Sequence, residues 1–181
     1  MTTTITGATG VNQITDDAIT AAKLPAGSVI SVYRAAPTGI TSGAAQNTWY
    51  DSAVSITFTP TSSSSTFVVW YNIGVNMIDS GGDGGTSLRV KRVHNSATLY
   101  PSGLNTDNGA SNNRHQWFYS NANPSSTNLM QLATVHGYDT VAHTTASITY
   151  TLQFSSYNVG NVTVGNSYGG QSLITVMEIA G

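Results

Sequence analysis

The sequence predicts an all-β protein, an antiparallel jelly-roll-like β-sandwich with a short N-terminal arm that contains one short helix. Three observations favour this fold. Apolar and polar residues alternate along ten segments after Gly27, as they do in half-buried strands. The 26 Thr residues suit a pleated surface, whereas the 22 Ser, 15 Asn and 18 Gly residues suit the turns between strands. Only 8% of the residues are charged, so uncharged side chains must supply most of the polar surface.

The arm is predicted to comprise residues 1–27 and the sandwich domain residues 28–181. The arm is rich in Thr, Ala and Gly and has too few apolar residues to close a core of its own. We therefore expect it to bind a sister subunit or a larger assembly, the alternative being a frayed tail. Its candidate attachment residues are the isolated apolar ones, Ile5, Val11, Ile14, Ile19 and Leu24.

A short helix is predicted within the arm, over about residues 16–24. Thr15 suits the N-cap position, and Asp16 and Asp17 would lie in the first turn, where the helix dipole favours acidic side chains. Pro25 follows the predicted end. A helix this short is marginal in isolation, which again indicates that the arm binds something.

Ten strands are predicted after the arm, separated by stretches rich in Ser, Asn, Gly and Pro. Their spacing favours antiparallel hairpins and longer crossings over alternating strands and helices, because no helical period intervenes. The predicted strands are residues 28–33, 48–58, 66–75, 86–93, 97–100, 115–120, 129–138, 147–154, 161–166 and 171–179.

Residues two apart on a strand share one side of the sheet, so the buried faces can be predicted. We expect Thr149, Thr151 and Gln153 to lie on a solvated side. Val68 and Trp70 lie opposite a predicted core face, which indicates a strand covered on both sides. The second cover is often another subunit, and this predicts a homo-oligomer, the alternative being a folded-over loop. The predicted core faces are Phe67, Val69, Tyr71, Ile73 and Val75; Val54, Ile56 and Phe58; and Ile148, Tyr150, Leu152 and Phe154.

Composition argues against several classes of function. The net charge of −2 does not favour binding to nucleic acid, and no apolar run is long enough for membrane insertion. The N-terminus has no signal-peptide pattern, so synthesis in a cytoplasm is expected. Cysteine is absent, and His94, His115, His136 and His143 fit no metal-binding spacing. Glu178 is the only glutamate, so we expect no catalytic residues, no cofactor, no metal and no enzymatic activity.

Two groups of polar and aromatic residues remain. The basic trio Arg89, Lys91 and Arg92 is predicted to be a solvated strand end, the alternative being a patch for an anionic partner. Aromatic and amide residues gather around the long 101–128 stretch, and such side chains commonly build paratopes and sugar-binding surfaces. An equal alternative is that Trp117 and its neighbours face the core. The candidate host or glycan contacts are Tyr100, Arg114, Trp117, Tyr119 and Asn121.

The chain resembles bacteriophage tail-fibre-like proteins. The N-terminal GATGVNQITDDAITAAKLPAGSVI resembles the segment before their β-domain, and SITFTPTSSSSTFVVWYNIGV looks like their hairpin of a solvated strand, a Pro-Thr-Ser turn and a buried strand. SLRVKRV, ITYTLQF and QSLITVMEIAG are similar to later strands. These pieces are residues 7–30, 55–75, 87–93, 148–154 and 171–181.

This resemblance implies a virion structural protein whose β-domain is a trimeric jelly-roll knob. A homotrimer would account for strands apolar on both sides, and the arm would attach the knob to other virion proteins. The chain has neither a repetitive shaft nor a coiled-coil stalk. Capsid decoration through the arm is therefore the alternative to a fibre tip that contacts the host surface.

Overall fold

The computed structural model describes most of the predicted sandwich. Leu24 lies in a bend, whereas the rest of the predicted helix, together with Ile5, Val11, Ile14 and Ile19, lies outside the described residues. Within the described part, no helix has the length and hydropathy needed to cross a membrane. The described residues are 24–43, 45–79, 84–105, 116–120, 127–157, 159–165 and 171–181.

Eleven strands run through these residues, and all ten predicted strands are among them. The strand that the sequence did not predict, β2, is short and has only one apolar residue. The strands are β1 (Val29–Ala35), β2 (Ile40–Gly43), β3 (Trp49–Phe58), β4 (Thr66–Asp79), β5 (Gly84–His94), β6 (Ala97–Leu99), β7 (Gln116–Ser120), β8 (Thr127–Asp139), β9 (Ile148–Tyr157), β10 (Asn161–Gly165) and β11 (Leu173–Ile179).

The strands form two antiparallel sheets. In the larger sheet, β4 pairs with β8 along one edge and with both β11 and β10 along the other, while β1 flanks β11 and β2 flanks β10. In the smaller sheet, β9 lies between β3 and β5, and β6 and β7 pair with opposite ends of β5. If the short strands β2, β6 and β10 are left out, the strand order is β1-β11-β4-β8 in the larger sheet and β3-β9-β5-β7 in the smaller sheet. The chain switches layers at most connections, which confirms the predicted jelly-roll sandwich.

The core lies between the two sheets and contains the inward side chains of both. The three predicted core faces are buried, and Leu88, Val90, Val135, Ile174 and Val176 join them. Aromatic rings link the layers, since Phe58 of β3 meets Phe67 of β4 edge-on at 5.2 Å between centroids. Burial of this apolar area, at about 25 cal/mol per Å², is the main favourable contribution to folding.

The connection between β3 and β4 differs from the hairpin suggested by the resemblance. β3 belongs to the smaller sheet and β4 to the larger, so residues 59–65 cross from one layer to the other. The physical reason is that both strands have a strongly apolar face. Facing each other across the core buries both faces, whereas a hairpin would place them side by side on one sheet.

The prediction that one side of β9 is solvated is also wrong. Thr151 and Gln153 are buried, and only Thr149 is partly exposed. Because β9 is the central strand of its sheet, outward side chains of β3 and β5 cover its outward residues; the hydroxyls of Thr57 and Thr149, for example, lie 2.8 Å apart. Alternation alone does not distinguish a central strand from an edge strand.

Candidate contact surfaces

The outer face of the smaller sheet has an arginine at the centre of an aromatic and polar cluster. The guanidinium carbon of Arg89 lies 4.0 Å from the ring centroid of Trp49 and 4.1 Å from that of Tyr100. Its Nε donates to Gln153 Oε1 at 2.6 Å, and Nη2 donates to the Tyr100 hydroxyl at 3.0 Å. Stacking between two rings and two hydrogen bonds fix the plane of the guanidinium.

The cluster continues through Gln153 to an ion pair. Gln153 Nε2 donates to Asp51 Oδ1 at 2.6 Å, and the ammonium of Lys91 bonds the other oxygen of Asp51. Burial alone would raise the pKa of Asp51, but the hydrogen bonds from Lys91 and Gln153 outweigh it and hold that pKa below its usual value. Desolvation lowers the pKa of Arg89, yet a guanidinium stays protonated at neutral pH. We call these six residues the Arg89 cluster: Trp49, Asp51, Arg89, Lys91, Tyr100 and Gln153.

One predicted contact residue, Tyr100, therefore belongs to the Arg89 cluster. The backbone of Trp117 pairs with Ser87 and that of Tyr119 with Gly85, so β7 lies alongside β5 a few residues from Arg89. The side chains of β7, and the residues Arg114 and Asn121, lie outside the described part of the structure. The structure thus brings one of the five candidates to the cluster and places the strand of two others beside it.

Trp49 and Asp51 were not predicted to be contact residues, and Gln153 was predicted only to lie on a solvated side of its strand. A signal was present, because Trp49 and Asp51 are two apart on β3 and share the outward side of that strand. Their partners come from β5 and β9, however, and the alignment of those strands with β3 follows from the sheet order.

The basic trio is not a solvated strand end. Arg92 is fully buried because it lies on the inward side of β5, where it pairs with the equally buried Asp139 at 3.0 Å. Its guanidinium also donates to the carbonyl oxygens of Val141 and Ala142, and Asp139 accepts a 2.6 Å bond from the Tyr150 hydroxyl. Burial and the neighbouring carboxylate raise the pKa of Tyr150, which keeps that hydroxyl protonated. Lys91 and Arg89 face outward and have partners as described above.

Glu178 is buried at the end of the sandwich. Its carboxylate accepts hydrogen bonds from the backbone amides of Thr61 and Ser62, at 2.8 and 3.0 Å, and from the hydroxyls of Ser65 and Tyr33, each at 2.8 Å. Burial would raise the pKa of Glu178, but these bonds outweigh it and lower that pKa. The carboxylate fixes the connection between β3 and β4.

The described histidines make ordinary contacts. His94 accepts a hydrogen bond from the Thr144 amide at 3.1 Å, and both ring nitrogens of His143 lie 2.9 Å from backbone carbonyl oxygens. The ring of His136 lies beside Trp70. Among the described residues, no three side chains of the metal-binding types come together.

A pocket lies at the end of the sandwich where the predicted arm joins it. Its volume is about 280 Å³, and its walls combine three apolar residues with three polar residues of the β3–β4 connection and one glycine. Next to it, the Gly27 amide donates to the Ala180 carbonyl at 2.8 Å. The lining residues are Leu24, Ile30, Thr61, Ser62, Ser64, Ala180 and Gly181, so one predicted attachment residue is in the pocket wall.

The outer face of the larger sheet has the opposite chemistry. Val32, Met177, Val68 and Tyr138 are opposite one another on four neighbouring strands, so they form one continuous row across the sheet. Trp70 is 39% exposed in the next row, where its neighbours across the sheet are the polar Arg34, Thr175 and His136. Further along β8, Met130 and Leu132 are 60% and 71% exposed. We call this surface of β1, β11, β4 and β8 the apolar face.

Comparisons with known proteins assign no family. No family model matches the chain, and no curated protein does. Among solved structures, the chain is similar to the VP2 subviral particle of infectious bursal disease virus, at 12% identity and a TM-score of 0.33, over 83% of this chain and 38% of that one. It is also similar to the structure of the Gx strain of that virus, at 10% identity and a TM-score of 0.26, over 82% and 42%.

The chain thus spans about two fifths of the length of these viral chains. Both are viral chains. At TM-scores below 0.5 the likeness is too distant to support an argument about function, so the functional proposal below depends on the chain itself.

Proposed function

We propose that the chain is a non-enzymatic structural protein of a virus particle, a homotrimeric knob of a bacteriophage fibre that contacts the host surface. The sequence resemblance to tail-fibre-like proteins supports this proposal, as does the jelly-roll sandwich. The resemblance alone would leave the role of each surface open. The chemistry of the two outer faces supplies that assignment.

The contrast between the two outer faces is the observation on which the proposal depends. The apolar face suits permanent contact with protein, because such contacts are rich in aromatic and aliphatic side chains and poor in charge. On the opposite side of the sandwich, the Arg89 cluster presents the half-buried rings of Trp49 and Tyr100 and the exposed carboxylate of Asp51, above the buried Arg89 and Gln153. Surfaces of that kind recognise glycans and protein receptors through stacking and directional hydrogen bonds.

The described carboxylates support a non-enzymatic role. Asp51 is bonded by Lys91 and Gln153, Asp139 by Arg92 and Tyr150, and Glu178 by backbone and hydroxyl groups. A general acid or base must have a free position from which it reaches the substrate. In these three side chains the oxygens are already engaged with the protein.

Capsid decoration is the second candidate, with the arm rather than the knob as the main contact. The pocket beside Leu24 favours it, because it lies where residues 1–27 join the sandwich and its volume of about 280 Å³ is large enough for a side chain of the arm. In this alternative, residues 1–27 bind other virion proteins and the sandwich projects from the head.

Labelling the protein on intact particles distinguishes the two candidates. A tag inserted between Asn95 and Ser96 lies in the exposed turn between β5 and β6, outside the residues of the Arg89 cluster and of the apolar face. Electron microscopy of the labelled particles should show label at the fibre tips. Symmetric label over the head would contradict the fibre proposal and support decoration. Purified particles that lack the protein altogether would contradict both.

A further inference from the structure

We infer that the apolar face is the interface at which copies of this chain associate. The inference rests on the proposed function, since it names the surface through which the proposed trimer forms. The sequence indicated a second cover for β4 but for neither β1 nor β8, so the inference also goes beyond that prediction.

The continuity of the face is the first argument. Strand register aligns Val32, Met177, Val68 and Tyr138 across four strands without a polar interruption. Each belongs to the outward side of its strand, whereas the alternate residues, such as Val69 and Val176, are in the core. Scattered exposed apolar residues are normal on a soluble protein, but a continuous row across a sheet marks an interaction surface.

The size of the face is the second argument. β8 has 13 residues and β11 has seven. With strands about 4.8 Å apart and a rise of about 3.3 Å per residue, the four strands present roughly 600 Å² of projected sheet. Protruding side chains make the accessible area larger than the projection. This approaches the ~800 Å² that each partner buries in a stable protein interface.

Charge is the third argument, and it favours a second copy over other occupants. Among the described outward residues of β1, β4, β8 and β11, Arg34 has the only permanent charge. A nucleic acid or an anionic membrane would require several cations here. A charge-poor surface is the suitable partner, because the one permanent charge of the face, Arg34, lies on the edge strand β1 and the other outward residues leave no charge to be buried. Other copies of this chain present such a surface.

The experiment measures the mass of the full chain in solution by light scattering at micromolar concentration. The wild type should have a multiple of 18.9 kDa, and three times that mass if the proposed trimer is right. Leu132→Glu and Met177→Glu should each reduce it to 18.9 kDa with an unchanged far-ultraviolet circular dichroism spectrum. Ser55→Glu is the matched control, an exposed strand position on the smaller sheet, and should leave the mass unchanged.

Methionine oxidation gives a second readout that does not depend on the mass. Met77 is buried in the core, whereas Met130 and Met177 are on the apolar face. In the wild-type oligomer, hydrogen peroxide should oxidise Met130 and Met177 as slowly as Met77. In the Leu132→Glu monomer, Met130 should be oxidised at least about tenfold faster than Met77, since thioether oxidation follows exposure.

The outcomes separate this inference from the proposed function. A wild-type dimer that Leu132→Glu dissociates would support the interface and contradict the trimer. A trimer that resists both substitutions and still oxidises Met130 rapidly would overturn the interface and leave the trimer standing. A wild-type monomer whose Met130 becomes protected only when particles are added would also overturn the inference, because the occupant would then be another virion protein.

Discussion

The two outer faces of the sandwich differ in how their side chains are satisfied. On the smaller sheet, Arg89, Gln153 and Asp51 bond to one another in a chain that leaves few polar groups without partners. On the larger sheet, Trp70 and Leu132 project outward with much of their surface in solvent. The polar groups on the smaller sheet find their partners within a single chain, whereas the apolar side chains on the larger sheet leave solvent only when another surface covers them.

This difference shows that folding requires the core between the sheets but neither of the two outer faces. Both faces rest on the same core, and neither supplies the apolar burial that holds the two sheets together. Their side chains are therefore free to differ without changing the fold, because each strand alternates between an inward side committed to the core and an outward side that is not. If the two faces are independent in this way, a change on one of them leaves the other intact.

Removal of the buried ion pair between Arg92 and Asp139 should lower the free energy of unfolding more than any other change. Asp139→Ala leaves Arg92 buried without a counter-charge, and we expect it to reduce the free energy of unfolding by about 3–5 kcal/mol. Asp139 lies on β8 of the larger sheet and Arg92 on β5 of the smaller sheet, so the variant should unfold both sheets, and with them both outer faces, together. Urea unfolding of the monomeric Leu132→Glu background measures this effect without a contribution from assembly.

Asp51→Ala is the matched control for that prediction. Asp51 also pairs with a cation, but its side chain is 52% exposed. Solvent-exposed ion pairs contribute at most about 1 kcal/mol. Equal effects of Asp139→Ala and Asp51→Ala would contradict the view that the buried pair joins the sheets.

Replacement of Arg89 should affect the smaller sheet alone. We expect Arg89→Ala to cost about 1–2 kcal/mol, since it removes two cation–π contacts and the packing of the Arg89 stem between Trp49 and Tyr100. Arg89→Lys should not restore this loss, because an ammonium cannot stack in the same way. Both variants should keep the wild-type mass and show weakened binding to host cells. A variant that dissociates the oligomer would show that the faces are coupled.

Replacement of Glu178 should have an effect on stability of similar size, together with a pH dependence. Its folded pKa lies below the unfolded value, so its contribution is complete above the unfolded value of about 4.5 and is lost as the pH falls through the folded value. Glu178→Gln should cost about 1–2 kcal/mol at pH 7 and flatten the acid limb of the stability profile. Thermal unfolding between pH 7 and pH 3 measures both. If the stability of the variant falls with decreasing pH as steeply as that of the wild type, other carboxyl groups cause most of the acid dependence.

Much of the fold could be predicted because a strand's period is local. The alternation of Val54, Ile56 and Phe58 identifies a buried face without knowledge of what covers it. Ile40–Gly43 was missed because its strand is too short and too polar for a period to be visible. Gln153 was misplaced because its burial depends on the strands beside β9.

The candidate surfaces were predicted less well, for a related reason. Tyr100 was identified by its residue type, but its partner Arg89 was interpreted as part of a solvated basic trio. Within that trio, Arg89 faces outward and Arg92 inward, as the period of two requires. The two-residue period does not reveal that Asp139, 47 residues away along the chain, is the partner that makes the burial of Arg92 possible.

The all-β class, the positions of ten strands and the core faces follow from the amino-acid sequence alone, because they depend on residue type and on a two-residue period. Which strands are neighbours, and hence that β3 and β4 lie in different sheets, is visible only in the folded chain. Folding also makes single apolar residues on four separate strands, Val32, Val68, Tyr138 and Met177, meet in one row. The reason is that strand pairing joins residues far apart in the chain, and no local pattern specifies the partner.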